Sequence, residues 1–231
     1  SSAAVTEAPD WASDANSDYA TDMLGGALAT ADWVQASTLG ADNALDSVSV
    51  DTGAATGRAA IVLSHVSAGF ENAGYVTAIP AGDVCYAIRF GYETPTISTS
   101  TLNHQLFAAF VAGGGDNLDN DEWFGIGWYR AGTAYTAGNN VQACQGASVG
   151  DQWAGCSAVL VRETPENTLD VLFKRVGTDL FIYQSAPRTG AWVYSATYTV
   201  DALAGVIGIR SKTNGAQTLT SYIFAFRRFA T

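Results

Sequence analysis

Three kinds of side chain in this 231-residue chain have the type and spacing to do chemistry: carboxylates in short runs, a serine between glycines, and a dense set of aromatic rings. Retaining hydrolysis of a glycoside needs two carboxyl groups about 5–5.5 Å apart across the scissile bond. Glu163 and Glu166 have the nearest spacing, but Pro165 between them places both in a loop. Gly146-Ala147-Ser148-Val149-Gly150 matches the Gly-x-Ser-x-Gly elbow, which requires a helix after it and a histidine later in the chain. His65 and His104 both precede it, and Asp151-Gln152-Trp153-Ala154-Gly155 behind it reads as another turn. The two histidines also lack the clustered spacing of a zinc site. The expectation is a protein that is not an enzyme.

The densest run of oxygen ligands is Asp116-Asn117-Leu118-Asp119-Asn120-Asp121-Glu122. Ca2+ takes about 6–8 oxygens, typically from such loops. Asp116, Asp119 and Asp121 are therefore the candidate metal ligands, and Ca2+ is the candidate cofactor. The run lacks the EF-hand spacing and its glycine, so a solvated acidic loop is the plain alternative. Aromatic rings crowd the middle and the last third: Trp123, Trp128, Tyr129, Tyr135, Trp153, Trp192 and Tyr194. Sugars stack their apolar faces on such rings, and Trp123, Tyr129, Trp153 and Trp192 are the candidate carbohydrate-binding residues. In Glu122–Arg130, Trp123 and Tyr129 share one parity with Gly125 and Gly127, while Phe124, Ile126 and Trp128 share the other. One set must face a core, and the glycines leave a bare patch on the other. The alternative is that these rings are all core.

The elements that carry these residues read as strands. Val84, Tyr86, Ile88 and Phe90 alternate with Cys85, Ala87 and Arg89; Leu106, Ala108 and Phe110 alternate with Phe107, Ala109 and Val111; Tyr222, Phe224 and Phe226 alternate with Ser221, Ile223 and Ala225. A period of two is the signature of a strand. Several of these runs are apolar on both parities, which predicts a covered second face. Phe90, Phe107, Phe110, Phe173, Ile207, Ile209 and Phe224 are the expected core. Turn signals such as Gly113-Gly114-Gly115-Asp116 and Val176-Gly177-Thr178-Asp179 separate the runs. The pattern yields about thirteen or fourteen strands and no long amphipathic helix. It predicts an all-β, antiparallel two-sheet jelly-roll sandwich. Residues 1–30 read as an extended acidic arm and residues 31–231 as the sandwich domain.

The last third carries the most specific pattern. Leu169–Val176, the turn at Gly177, Asp179–Tyr183, Gly190-Ala191-Trp192, Val206-Ile207-Gly208-Ile209 and Tyr222–Phe229 follow in order. This succession resembles the concanavalin A-like lectin/glucanase superfamily, and Asp83–Phe90 resembles a strand of its N-terminal half. The resemblance spans roughly residues 30–230 and implies a concanavalin A-like sandwich. Glucanases of that superfamily carry Glu-x-Asp-x-x-Glu on a strand, and this chain has no such motif. Its lectins use loop-bound Ca2+ beside their sugar sites.

Composition narrows the partners. Charged residues make up 14% and the net charge is −11, so phosphate binding by clustered Lys and Arg is not expected and no nucleic acid is a partner. No apolar run reaches the roughly 18–20 residues that span a bilayer, and no membrane partner is expected. The start, Ser1-Ser2-Ala3-Ala4-Val5, shows no signal peptide. Residues 1–57 hold nine acids and no base, while residues 123–231 hold six acids and nine bases. An acidic arm set against a more basic half, including Arg188, Arg210, Lys212, Arg227 and Arg228, predicts docking within the chain or onto a neighbour. Cys85 reads as a small buried hydrophobe. Cys144 and Cys156 flank a Gly-rich turn, and spacing alone leaves a disulfide between them open. The composition favours a structural or decorating protein of a large assembly, for instance a phage virion, with other subunits or further copies of itself as partners. A carbohydrate-binding module or adhesin with glycan partners is the alternative, and a glycoside hydrolase or lyase is disfavoured. The expected location is a virion or the extracellular space.

Overall fold

The computed structural model describes residues 17–22, 33–37, 47–51, 59–65, 71–93, 103–112, 123–131, 141–146, 154–158, 168–185, 191–213, 217–229 and 231. They form fifteen strands: β1 Ser17–Asp22, β2 Trp33–Ser37, β3 Ser47–Asp51, β4 Ala59–His65, β5 Glu71–Ile79, β6 Val84–Tyr92, β7 Asn103–Ala112, β8 Trp123–Ala131, β9 Val141–Gly146, β10 Ala154–Ala158, β11 Leu169–Val176, β12 Asp179–Ser185, β13 Val193–Thr199, β14 Gly205–Thr213 and β15 Gln217–Phe229. Among the described residues there is no helix.

The strands make two antiparallel sheets. One has eight strands in the order β13-β12-β11-β6-β15-β4-β3, with β1 also beside β15. The other has seven, β10-β9-β8-β7-β14-β5-β2. Alternation explains the layering. Tyr86, Ile88 and Phe90 of β6 enter the core between the sheets with Val171 and Phe173 of β11 and Ile182 of β12. Phe110, Phe124, Ile126, Ile207 and Ile209 meet them from the other sheet. Rings bridge the two layers: Phe110 to Phe173 at 5.9 Å between centroids, and Trp33 edge-on to Phe226 at 5.2 Å. Burying each such side chain contributes about 1.5–3 kcal/mol. The two-sided apolar runs also behave as predicted. Every residue of β6 is buried, because Cys85 and Ala87 join Leu172, Tyr183, Ala225 and Phe229 in a second cluster on the outer face.

Two expectations need amendment. Phe224 is only half-buried. The register of β15 against β6 shifts between Ile223 and Ala225, so Phe224 is the extra residue of a bulge and drops out of the alternation. Ile223 and Phe226 take the core positions instead. Residues 17–22, read as part of an extended arm, form β1, with Tyr19 opposite Arg228 and Ala20 opposite Arg227.

One end of the sandwich is fastened by Arg175. This side chain lies on the core parity of β11 and is wholly buried. Its Nε donates to Gly82 O at 2.6 Å and its Nη2 to Pro80 O at 2.7 Å. Its Nη1 reaches Asp201 O at 3.1 Å and Leu203 O at 2.8 Å. The guanidinium also stands 5.3 Å from the centre of the Phe110 ring. Burial pulls its pKa below the usual value, with Asp83 and Tyr86 opposing. Gly177 supports the same end: at φ 60° it makes the tight turn between β11 and β12, and its N–H donates to Asp83 Oδ1 at 2.8 Å.

Candidate functional site

Aromatic rings gather on the outer face of the eight-stranded sheet, near its edge. β13 hydrogen-bonds to β12 alone among the described strands, which leaves its residues open to solvent. Pairing sets Tyr183 opposite Tyr194 and Phe181 opposite Thr197, and opposed residues share a face. That face is the one away from the core, because Leu180 and Ile182 between them point inward. Trp192, just before β13, packs with Phe181 over the outer cluster of Cys85, Ala87, Leu172, Tyr183, Ala225 and Phe229. Tyr194 stays 52% exposed. Its ring meets Tyr183 edge-on, 6.0 Å between centroids, and its hydroxyl lies 2.9 Å from Thr197 Oγ1.

Electrostatics leave this surface largely neutral. Burial raises the pKa of Tyr183, and nearby Tyr194 and Cys85 add to the rise. The Tyr183 hydroxyl is buried without a hydrogen-bond partner. Burial pushes the Cys85 thiol up to about 12, with Lys174 opposing. Lys174 stands opposite Phe181 and Cys85 and brings a cation to the margin. Further along the same face, Asp170 is clamped by Arg89 through two bonds, Nε to Oδ1 at 2.7 Å and Nη2 to Oδ2 at 3.0 Å. A fully buried carboxylate held bidentately is a counter-ion; it is not placed to pass protons to a substrate. The arrangement offers ring faces and hydroxyl groups, which suits a polar ligand with an apolar face.

Of the four predicted aromatic residues the structure describes three, and these are divided between the two sheets. Trp192 belongs to the outer face of the eight-stranded sheet. Trp123 and Tyr129 lie on β8 in the other sheet, opposite Val111 and Gln105. They alternate there with the buried Phe124 and Ile126, so the predicted core parity of β8 is the one that holds these two. Trp153 and the run of Asp116, Asp119 and Asp121 lie outside the described residues. Among the described residues, no group of three or more His, Cys, Asp or Glu could hold a metal ion. Cys85 is buried, while Cys144 and Cys156 sit on the adjacent strands β9 and β10. Sequence reasoning overlooked Phe181, Tyr183 and Thr197. The signal was present in β12, where two rings alternate with Leu180 and Ile182 and so had to share the face opposite the core.

No protein-family model and no curated protein matches the sequence. Solved structures do match its shape. The lectin UEA-II complexed with galactose aligns at a TM-score of 0.52 and 13% identity, covering 92% of this chain and 98% of that one. A protein with a galectin-like fold from Bacillus subtilis aligns at 0.51 and 11%, covering 94% and 98%. The exoplasmic/lumenal domain of VIP36 in a Ca2+/Man-bound form aligns at 0.51 and 9%, covering 86% and 83%. The fold is a concanavalin A-like jelly-roll sandwich. At these identities the likeness is one of architecture: a concanavalin A-like frame with its own side chains on it.

Proposed function

We propose that this concanavalin A-like domain is a non-catalytic carbohydrate-binding module that holds a glycan on the surface formed by Trp192, Tyr194 and Thr197. One observation carries the reading: a half-buried Trp and an exposed Tyr lie on the outer face beside a buried layer that includes Tyr183 and Phe229, and the Tyr194 hydroxyl stands 2.9 Å from Thr197 Oγ1. Rings anchored from beneath are pre-organised, so a ligand binds them without first ordering them. The relatives lend support, since UEA-II was solved with galactose and the VIP36 domain in a Ca2+/Man-bound form. The reading extends to Ca2+ held by Asp116, Asp119 and Asp121, and to an extracellular place of action. The virion role expected from composition gains no support from the fold or from these relatives.

A glycan array followed by titration calorimetry tests the proposal. Trp192→Ala and Tyr194→Ala should each weaken the best glycan about tenfold or more, the effect of losing about 1.4 kcal/mol, with circular dichroism unchanged. Glycan binding that survives the double substitution moves the site elsewhere. An array with no binder at all overturns the function. Chelation that leaves the affinity unchanged removes Ca2+ from it.

A further inference from the structure

β15 has an edge shared by two strands. β6 takes one side from Ser221 to Arg228. On the other side β4 covers Gln217 to Ile223, and β1 covers Ala225 to Phe229. The division falls at the bulge of Phe224, where β4 begins at Ala59. The far half of this edge is thus a slot of its own. Its Ala225, Arg227 and Phe229 are almost wholly buried, and its backbone groups need a strand beside them.

The strand that fills the slot lies ten residues of sequence from the next strand. Residues 23–32 separate β1 from β2, and β2 belongs to the other sheet. That connector contains Gly25-Gly26, and ten extended residues span about 33–36 Å. Strand and slot carry opposite charge in the sequence. β1 carries Asp18 and Asp22 within a 57-residue stretch that has nine acids and no base. Opposite it stand two adjacent arginines, Arg227 facing Ala20 and Arg228 facing Tyr19. The register also shifts between Ser17 and Tyr19.

We propose that β1 is an exchangeable strand, and that the slot along Ala225–Phe229 takes Ser17–Asp22 from a second copy of this chain. Each backbone pairing is the same whichever copy supplies the strand, so exchange loses only the entropy of association. Reciprocal exchange closes a dimer, and passing the strand onward builds a chain of subunits. This holds whether or not the domain binds a glycan.

The test uses the full chain in two single variants, Tyr19→Cys and Arg228→Cys, mixed under mild oxidation. Each variant alone controls for the native cysteines. The expected result is a disulfide dimer that needs both variants. While it is scarce, its fraction should rise about tenfold for a tenfold rise in concentration, by mass action. A mixture that gives no dimer, beside a double variant that closes within one chain, shows a fixed strand and overturns the proposal. No cross-link in the mixture or in the double variant overturns it too, because β1 then does not occupy the slot. A second check needs no substitution: the unmodified chain should sediment partly as dimers near 1 mM, and a strict monomer there overturns the proposal.

Discussion

Replacing Arg175 by Met should be among the most damaging single changes in the molecule. The side chain donates four hydrogen bonds to the carbonyls of Pro80, Gly82, Asp201 and Leu203. Bonds from a charged donor contribute about 1.5–3 kcal/mol each, which bounds the loss at roughly 6–12 kcal/mol. Two effects reduce it. Pro80, Asp201 and Leu203 are exposed, so their carbonyls can turn to water. The guanidinium also pays a desolvation cost when buried, and Met does not. A net loss of about 3–5 kcal/mol remains, as for other buried charges whose partners are left behind. Met keeps most of the side chain's length, so the loss reports the hydrogen bonds and the guanidinium's contact with the Phe110 ring and not a large cavity. Urea denaturation followed by tryptophan fluorescence measures it, and hydrogen exchange at residues 80–83 and 200–204 should quicken in step. A Met variant within about 1 kcal/mol of the parent, with those loops still protected, would show that the carbonyls do not depend on Arg175.

Asp170→Asn should destabilise the fold by about 3–5 kcal/mol, because it leaves Arg89 charged and buried without its carboxylate; thermal unfolding of this variant against Arg89→Met/Asp170→Leu, which removes both charges, separates the charge effect from packing. Alkaline pH should erode stability through Cys85. Its folded pKa of about 12 lies above the ordinary 9.0, so the thiol's contribution is complete below pH 9 and fades as pH rises toward 12. The full span amounts to about 4 kcal/mol at 1.36 kcal/mol per pH unit. Cys85→Ala should flatten that slope in pH-jump denaturation, and equal slopes would exclude the thiol as its source. Phe173→Ala should cost about 3–5 kcal/mol, whereas Phe224→Ala at the bulge should cost clearly less; equal losses in chemical denaturation would mean that Phe224 is packed like a core ring.

Alternation made most of this architecture legible. Tyr86, Ile88 and Phe90 had to share one face, and they do. The two-sided runs foretold the second cluster around Cys85 and Leu172. What alternation cannot carry is a change of phase. Phe224 reads as in step with Phe226 until a single extra residue in the strand puts them out of step, and no local residue type marks the place. Ionic pairing was equally hidden: Arg89 and Asp170 are 81 residues apart, and only the register of β6 against β11 makes them neighbours. Arg175 looked like an ordinary strand residue, although it is the donor that ties two loops together. For the candidate site, Trp192 was named for its ring alone. Its companions Phe181 and Tyr183 were legible as one face of β12, but only the pairing of β12 with β13 sets them opposite Thr197 and Tyr194.

The wholly buried strand β6 has a consequence for how the chain is made. It lies between β11 and β15, so its neighbours come late in synthesis. Ser221 Oγ bonds Gly91 O across 130 positions of sequence, and contacts this distant slow folding. At about 5–20 residues per second, roughly 7–30 s pass between the emergence of β6 and that of the end of β15. Until β11 has emerged, roughly 4–17 s into that interval, the nine residues of β6, all destined for burial, have neither strand partner. The nascent chain is then most open to aggregation and to chaperones, and a codon change that slows translation after Tyr92 would lengthen that exposure without altering a single amino acid.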